Sequence, residues 1–330
     1  YWAGRWRAWP TNDKNFSEEK KKEAADLLEA VAIQAPWHYY GALAWARLNA
    51  LDSSRASAIK RPVQDPDSDP WQVRDAWMAE PAVRNALGLV RVGLYGDALT
   101  EFSTLEEEEL SGSEMAIITG VQARAGRFLF AHDRLRGWLK THPPEGLGPN
   151  RYKVLRQAYP EKYWEEVKKA ADPYEYEPRV FLALVREESN FNPEIKSHAG
   201  ACGLSQLMPT TASSVAKRAG FSYSSSRIWD PQTNLNIGAY YLDMLHDRYQ
   251  GNSALSLAGY NAGEGNADRW LAAMPDAPTD AVVESITFRE TRFYVKRVLS
   301  TYLTYRLLYD EGTPTPDWSK WMYDAVPTPG

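Results

Sequence analysis

Apolar residues recur at helical spacing in almost every segment of the chain. Ala24, Leu27, Leu28 and Val31 fall at i, i+3, i+4 and i+7 with Lys and Glu on the opposite face, the pattern of an amphipathic helix. A second such stretch runs from Trp37 to Leu51 behind Pro36, and proline suits a helix start because the first turn does not need its missing N–H. The pattern stops between Ser53 and Pro70, which predicts a loop. Asp65, Asp67 and Asp69 alternate there as in a calcium loop, but Pro70 and Ala76 stand where such a loop needs Gly and Glu, so no calcium site is expected.

Between Pro81 and His142 a weak repeat is visible: Gly93 and Ala98 recur as Gly126 and Ala131, both at a spacing of 33 residues. Paired-helix repeats stacked into a solenoid have periods of about 34 residues, with small residues where the helices approach. The run Glu106 to Glu109 predicts a solvated helix face. A Pro- and Gly-rich stretch from Thr141 to Asn150 predicts a linker, and Tyr152 to Ala171 a charged helix. The expected division is a helical-repeat domain over 1–172, a second domain over 173–310 and a Pro-rich tail over 311–330, the boundary lying near Asp172 because the chemistry-bearing motifs follow it. The class is all-α, an α-solenoid, superhelical N-terminal region followed by the motif-bearing domain.

Composition narrows the function. The formal net charge of −5 speaks against duplex nucleic acid as a partner, since such binders carry a basic excess. One cysteine, Cys202, builds neither a disulfide framework nor a Cys-based zinc site. No stretch reaches the roughly 20 apolar residues of a spanning helix, so no transmembrane segment is expected. The chain opens with Tyr1-Trp2-Ala3-Gly4-Arg5, which reads like the middle of a helix and predicts a processed or truncated fragment. Aromatic residues are abundant, with 13 Trp, 19 Tyr and 9 Phe; they serve helix packing or, where exposed, the stacking of flat ligands such as sugar rings.

The candidate chemistry lies after Asp172. In the predicted helix Arg179 to Asn190, residues Phe181, Leu184, Val185 and Glu188 share one face, whereas Glu187 is turned about 100° away. A carboxyl at the end of an apolar stripe loses solvation, which raises its pKa toward the range a general acid needs. Downstream come "GACGLSQLMP" over 200–209, Asp230-Pro231, Asn234, Gly238, Tyr241-Leu242, "GYNAG" over 259–263, and "FRETRFYV" over 288–295.

With "ALVREESNFNP", these blocks resemble, in order, the catalytic domain of the soluble lytic transglycosylases, which is related to goose-type lysozyme. The resemblance covers about Tyr174 to Leu308, and "YWAGR" and "WHYYGALAWARL" look more loosely like that family's helical superhelix. It implies a lysozyme-like domain that cleaves the β-1,4 bond between N-acetylmuramic acid and N-acetylglucosamine of peptidoglycan glycan strands, leaving 1,6-anhydro ends. It implies no cofactor and no metal, a periplasmic or envelope location, and cell-wall protein partners through the helical region.

By that resemblance Glu188 is the acid and then the base. Ser197 and Gln206 hydrogen-bond the substrate, Met208 lines the cleft or belongs to the core, and Tyr260 places its hydroxyl near the glutamate. Asn261 orders the same loop, and Glu290 contacts saccharide or pairs with Arg292. Ser189 is either a helix-end hydrogen bond or a catalytic group. Cys202 fits a tight turn, and Gly259 stands where the family often has Ala, a change expected to cost little. Two other readings stay open: a hydrolase like goose-type lysozyme, which when inverting needs a second carboxylate about 6.5–9.5 Å from the acid, and a non-catalytic helical-repeat scaffold that binds peptidoglycan.

Overall fold

The computed structural model describes residues 1–8, 18–36, 38–59, 71–142, 150–275 and 277–310. Among them the regular elements are helices, with two isolated antiparallel bridges, Lys196 to Cys202 and Cys202 to Leu207. The all-α class expected from the periodicity is the one observed. Over the described residues the chain forms two compact units, Tyr1–Arg61 with Tyr163–Gly330, and Pro62–Lys162. This grouping differs from a division at Asp172, because the opening helices are tied to the C-terminal ones.

The opening helices are α1 (Trp2–Ala8), α2 (Glu18–Gln34), α3 (Tyr39–Leu51) and α4 (Ser53–Ala58). Helix α2 buries Ala24, Ala25, Leu28 and Ala32, and α3 starts where the His38 ring nitrogen accepts from the Tyr40 N–H at 3.3 Å. The predicted loop from Ser53 is replaced by α4, because the Asp52 carboxylate accepts from the Ser54 and Arg55 N–H groups, both at 3.1 Å, and so caps a new helix. The rest of that loop, with Asp65, Asp67 and Asp69, lies outside the described residues, as does the tail 311–330.

The second unit contains α5 (Asp75–Ala79), α6 (Pro81–Arg91), α7 (Tyr95–Phe102), α8 (Gly112–Arg124), α9 (Phe128–Trp138) and α10 (Arg151–Ala158). The spaced glycines take the same left-handed conformation after α6 and α8, Gly93 at φ +79° and Gly126 at φ +82°, and Ala98 and Ala131 are both buried. Glu107–Glu109 is an exposed 3₁₀ turn. The single helix predicted over Tyr152 to Ala171 is instead two. Proline at 160 cannot continue the ladder, and Tyr163 takes φ +62° before the next helix.

The first unit resumes with α11 (Trp164–Ala171), α12 (Pro178–Ser189), α13 (Pro209–Ala219), α14 (Pro231–Arg248), α15 (Ser253–Ala262), α16 (Glu264–Ala272), α17 (Thr279–Ser285) and α18 (Arg289–Tyr309). Pro178, Pro209 and Pro231 each open a helix, as their fixed φ favours. Helix α18 is the axis of this unit, packing against α12, α15, α17 and α3. Fully buried Asp280 of α17 accepts from Arg5 and Arg47, both at 2.7 Å, and from the Tyr1 hydroxyl. Glu284 takes Lys296 at 2.7 Å and the Tyr40 hydroxyl. The residues of "YWAGR" and "WHYYG" thus fasten α1 and α3 to α17.

Candidate active site

The site is built on the last turn of α12. Phe181, Leu184 and Val185 are fully buried, so their stripe fixes the face from which Glu188 projects. The helix stops directly after Ser189: Asn190 and Phe191 are consecutive left-handed residues, at φ +47° and +62°, and the Phe191 ring is buried. Ser189 spends its hydroxyl on the Val185 carbonyl at 2.9 Å, which settles it as a helix-end bond.

The second wall is the turn over 195–208. Cys202 exchanges backbone bonds with Leu207 at 3.0 and 3.1 Å, and its thiol is buried. Asn234 of α14 holds the turn from below: its Nδ2 donates to the Cys202 and Ile228 carbonyls at 3.0 and 2.9 Å, and its Oδ1 accepts from the Ser205 N–H at 2.7 Å. Close approach needs glycine on both sides. A Cβ on Gly203 would come within 2.4 Å of Asn234 Nδ2, and one on Gly238 within 2.5 Å of Ser205 Oγ. Gly259 is also tightly fitted, since a Cβ there would meet Leu245 and Tyr249 at 3.1 Å each, so glycine suits the packing of α15 against these two side chains.

These elements enclose a cleft of about 680 Å³, and all seven residues singled out in the sequence line it: Glu188, Ser197, Gln206, Met208, Tyr260, Asn261 and Glu290. Met208 is 40% exposed, so it is a cleft residue and not core. Glu290 is exposed at the start of α18. Arg292 turns instead to the Glu284 and Ile286 carbonyls, both at 3.3 Å, so among the described residues it forms no ion pair with Glu290.

The hydrogen bonds made inside the protein decide what each side chain can offer a ligand. Ser197 Oγ accepts from the Ala201 N–H at 3.0 Å, which leaves its hydrogen to donate. Gln206, itself left-handed at φ +47°, donates its amide to Ile195 and Gly203 at 3.1 and 2.8 Å; only its oxygen remains, as an acceptor. Asn261 Oδ1 accepts from Thr291 at 2.7 Å, leaving its NH₂ as donor. The Tyr260 hydroxyl donates to the Ser205 carbonyl at 2.9 Å and so joins α15 to the turn. The cleft therefore alternates donors and acceptors beside Glu188, a lining suited to hydroxyls and acetamides.

Burial pushes the Glu188 carboxyl up to about 7, with further upward pressure from Glu187 and Glu290 and opposition from Tyr294 and Arg297. Tyr294 is buried beside it, near enough for each group to act on the other's proton. Tyr294, Glu187, Tyr241, His198 and Thr211 carried no expected role, and the last three also line the cleft. The ring of Tyr241 lies 5.0 Å from that of Tyr260. A signal was available for Glu187, Tyr241 and Tyr294, which all stand within the motif blocks.

Among known proteins, residues 165–283 match the family model of the transglycosylase SLT domain. The chain is 32% identical over 260 residues to the soluble lytic murein transglycosylase of Escherichia coli K12, covering 77% of this chain and 38% of that protein. It is 28% identical over 324 residues to the soluble lytic murein transglycosylase of Salmonella typhimurium, covering 96% and 46%. The crystal structure of the 70 kDa soluble lytic transglycosylase from Escherichia coli superimposes with a TM-score of 0.65 at 27% identity, over 97% of this chain and 48% of that one. A complex of the 70 kDa soluble lytic transglycosylase with bulgecin A superimposes with the same TM-score of 0.65 at 27% identity, over 97% of this chain and 48% of that one. The chain spans less than half the length of these relatives.

Proposed function

This chain belongs to the soluble lytic transglycosylase family through its SLT domain, and from that premise we propose that it is a peptidoglycan lytic transglycosylase acting at the cell envelope. The observation that carries the reading is the meeting of all seven singled-out residues on one cleft around a carboxyl raised to about 7. Glu188 enters the reaction protonated and gives its proton to the glycosidic oxygen between N-acetylmuramic acid and N-acetylglucosamine. The substrate's own acetamide oxygen steadies the cation at C1, as in substrate-assisted glycosidases. Glu188, now a carboxylate, takes the proton from the C6 hydroxyl as that oxygen closes on C1. One carboxyl suffices because the nucleophile is tethered to the same sugar, where effective molarities reach about 10⁵–10⁸ M.

Around this centre Ser197 and Asn261 donate to the sugar, Gln206 and Glu290 accept, and Met208 supplies an apolar edge. Tyr260 acts on the reaction by bracing the turn that carries Gln206. Among the described residues no helix is long and apolar enough to cross a membrane. The helical-repeat unit is proposed to hold glycan or cell-wall proteins.

Hydrolysis has one observation in its favour, since Glu290 is a second carboxylate on the same cleft. Mass spectrometry of purified peptidoglycan digested by the chain and by Glu188→Gln separates the readings. Transglycosylation gives muropeptides one water lighter than hydrolysis does, and their release falls by at least about 10²-fold in the variant. Full-mass reducing ends abolished by Glu290→Gln would establish the hydrolase. Binding of the sacculus without any release would leave a scaffold.

A further inference from the structure

Glu187 precedes the acid yet points elsewhere, and its side chain is only 3% exposed. Its Oε1 accepts from the Thr301 hydroxyl of α18 at 2.6 Å and lies 3.5 Å from Arg186. Its Oε2 lies 3.6 Å from Arg297 Nε, also of α18. Tyr294, Arg297 and Thr301 stand at i, i+3 and i+7, one face of α18, and that face meets both glutamates: Tyr294 at Glu188, Arg297 and Thr301 at Glu187. Adjacent helical side chains diverge by about 100°, so anchoring one of them to a neighbouring helix fixes the azimuth of the other.

The structure assigns to Glu187 a positioning role: bonded to α18, it fixes the rotation of the last turn of α12 and sets an acidic group, paired with Arg186 and Arg297, behind Glu188. The inference rests on the reading of Glu188 as the acid. The groups that face Glu188 are Glu187 from α12, Glu290, Tyr294 and Arg297 from α18, and Tyr260 from α15, with His198 and Tyr241 on the same cleft. Within this set Glu187 and Arg297 oppose each other. Negative charge beside the carboxyl favours its protonated form, and the guanidinium favours the carboxylate. Glu187 also engages Arg297 and Arg186, so removing Glu187 takes away a repulsion and loosens two cations, changes of the same sign.

The test is the pH profile of kcat/KM on purified peptidoglycan for the full chain and its variants. Because Glu188 must be protonated to begin, activity falls as pH rises through its pKa. Glu187→Gln keeps an oxygen for Thr301 but loses the charge, and the alkaline limb should move down by about one unit. Arg297→Met, at a side chain that is 48% exposed, should move the same limb up. Thr301→Val keeps both charges and loses the anchor, so turnover should drop with the limb in place. Opposite movements are what a merely structural role would not produce. Limbs that stay put in both charge variants, or move together, would overturn the proposal, and Arg297→Met alone decides it should Glu187→Gln fail to fold. Wild-type turnover in Glu188→Gln would instead overturn the reading of the acid, a result that does not involve Glu187.

Discussion

A glutamate raised from 4.5 to about 7 carries a consequence for stability as well as for catalysis. The folded protein holds a proton on Glu188 at pH values where the unfolded chain has released it. The contribution of this group is therefore full below about 4.5 and is lost as pH rises through 7, a loss of at most about 3 kcal/mol. Glu188→Gln removes the titration. Urea unfolding of the two proteins should give an advantage to the variant that grows between pH 5 and 7.5 and is absent at pH 4; a pH-independent difference would contradict the burial argument. Glu188 was legible in the sequence because its position on an apolar stripe is a local property. The burial of Glu187 was not, since its partner Thr301 lies 114 residues away and no spacing rule connects them.

At the scale of the element, the turn over 195–208 shows why motif residues can be found long before their purpose is. The glycines and Asn234 stood out in the sequence, but each works through a contact with another segment. Gly203 combines φ +75° with a Cβ position 2.4 Å from Asn234 Nδ2 and 2.9 Å from the Ile228 carbonyl, whereas Gly200, at φ +95°, has nothing within 4 Å. Alanine at 200 meets only the backbone penalty, about 1 kcal/mol. Alanine at 203 also displaces the asparagine that ties the turn together, and should cost at least about 3 kcal/mol. Thermal melts of the two variants, paired with peptidoglycan release, check the contrast: Gly203→Ala should lose activity together with stability because Gln206 sits on the same turn. Asn234→Ala takes the partner of the buried Ser205 N–H and one donor each from the Ile228 and Cys202 carbonyls, the latter still accepting from the Leu207 N–H, and should cost about 2–4 kcal/mol. Pro178, Pro209 and Pro231 open their helices through their own φ, a local effect of the kind expected at Pro36. The unforeseen helix α4 depends on Asp52, whose capping bonds are as local as any but occupy a stretch without apolar periodicity.

For the molecule as a whole, the sequence placed the first helices with a repeat domain because the chemical motifs begin after Asp172. The ion pairs that bind them to the unit bearing the cleft leave no local trace. Asp280 is fully buried, and Arg5 and Arg47 reach it with side chains only 10% and 4% exposed. Removing the carboxylate alone takes a buried counter-charge from two desolvated guanidinium groups, so Asp280→Ala should cost about 3–5 kcal/mol, far more than the pairs contribute net. The distinction is testable with a compensated variant. Replacing Asp280 with Leu together with Arg5→Met and Arg47→Met removes the charges as a set and should recover most of the lost stability in urea unfolding, because apolar side chains of similar bulk avoid the desolvation cost. Recovery would mean that the cluster's chief effect is to select one docking of α1 and α3 on α17. A compensated variant as unstable as Asp280→Ala would mean that the ionic bonds themselves hold this unit together, and that the opening helices are part of the stability of the unit that bears the cleft.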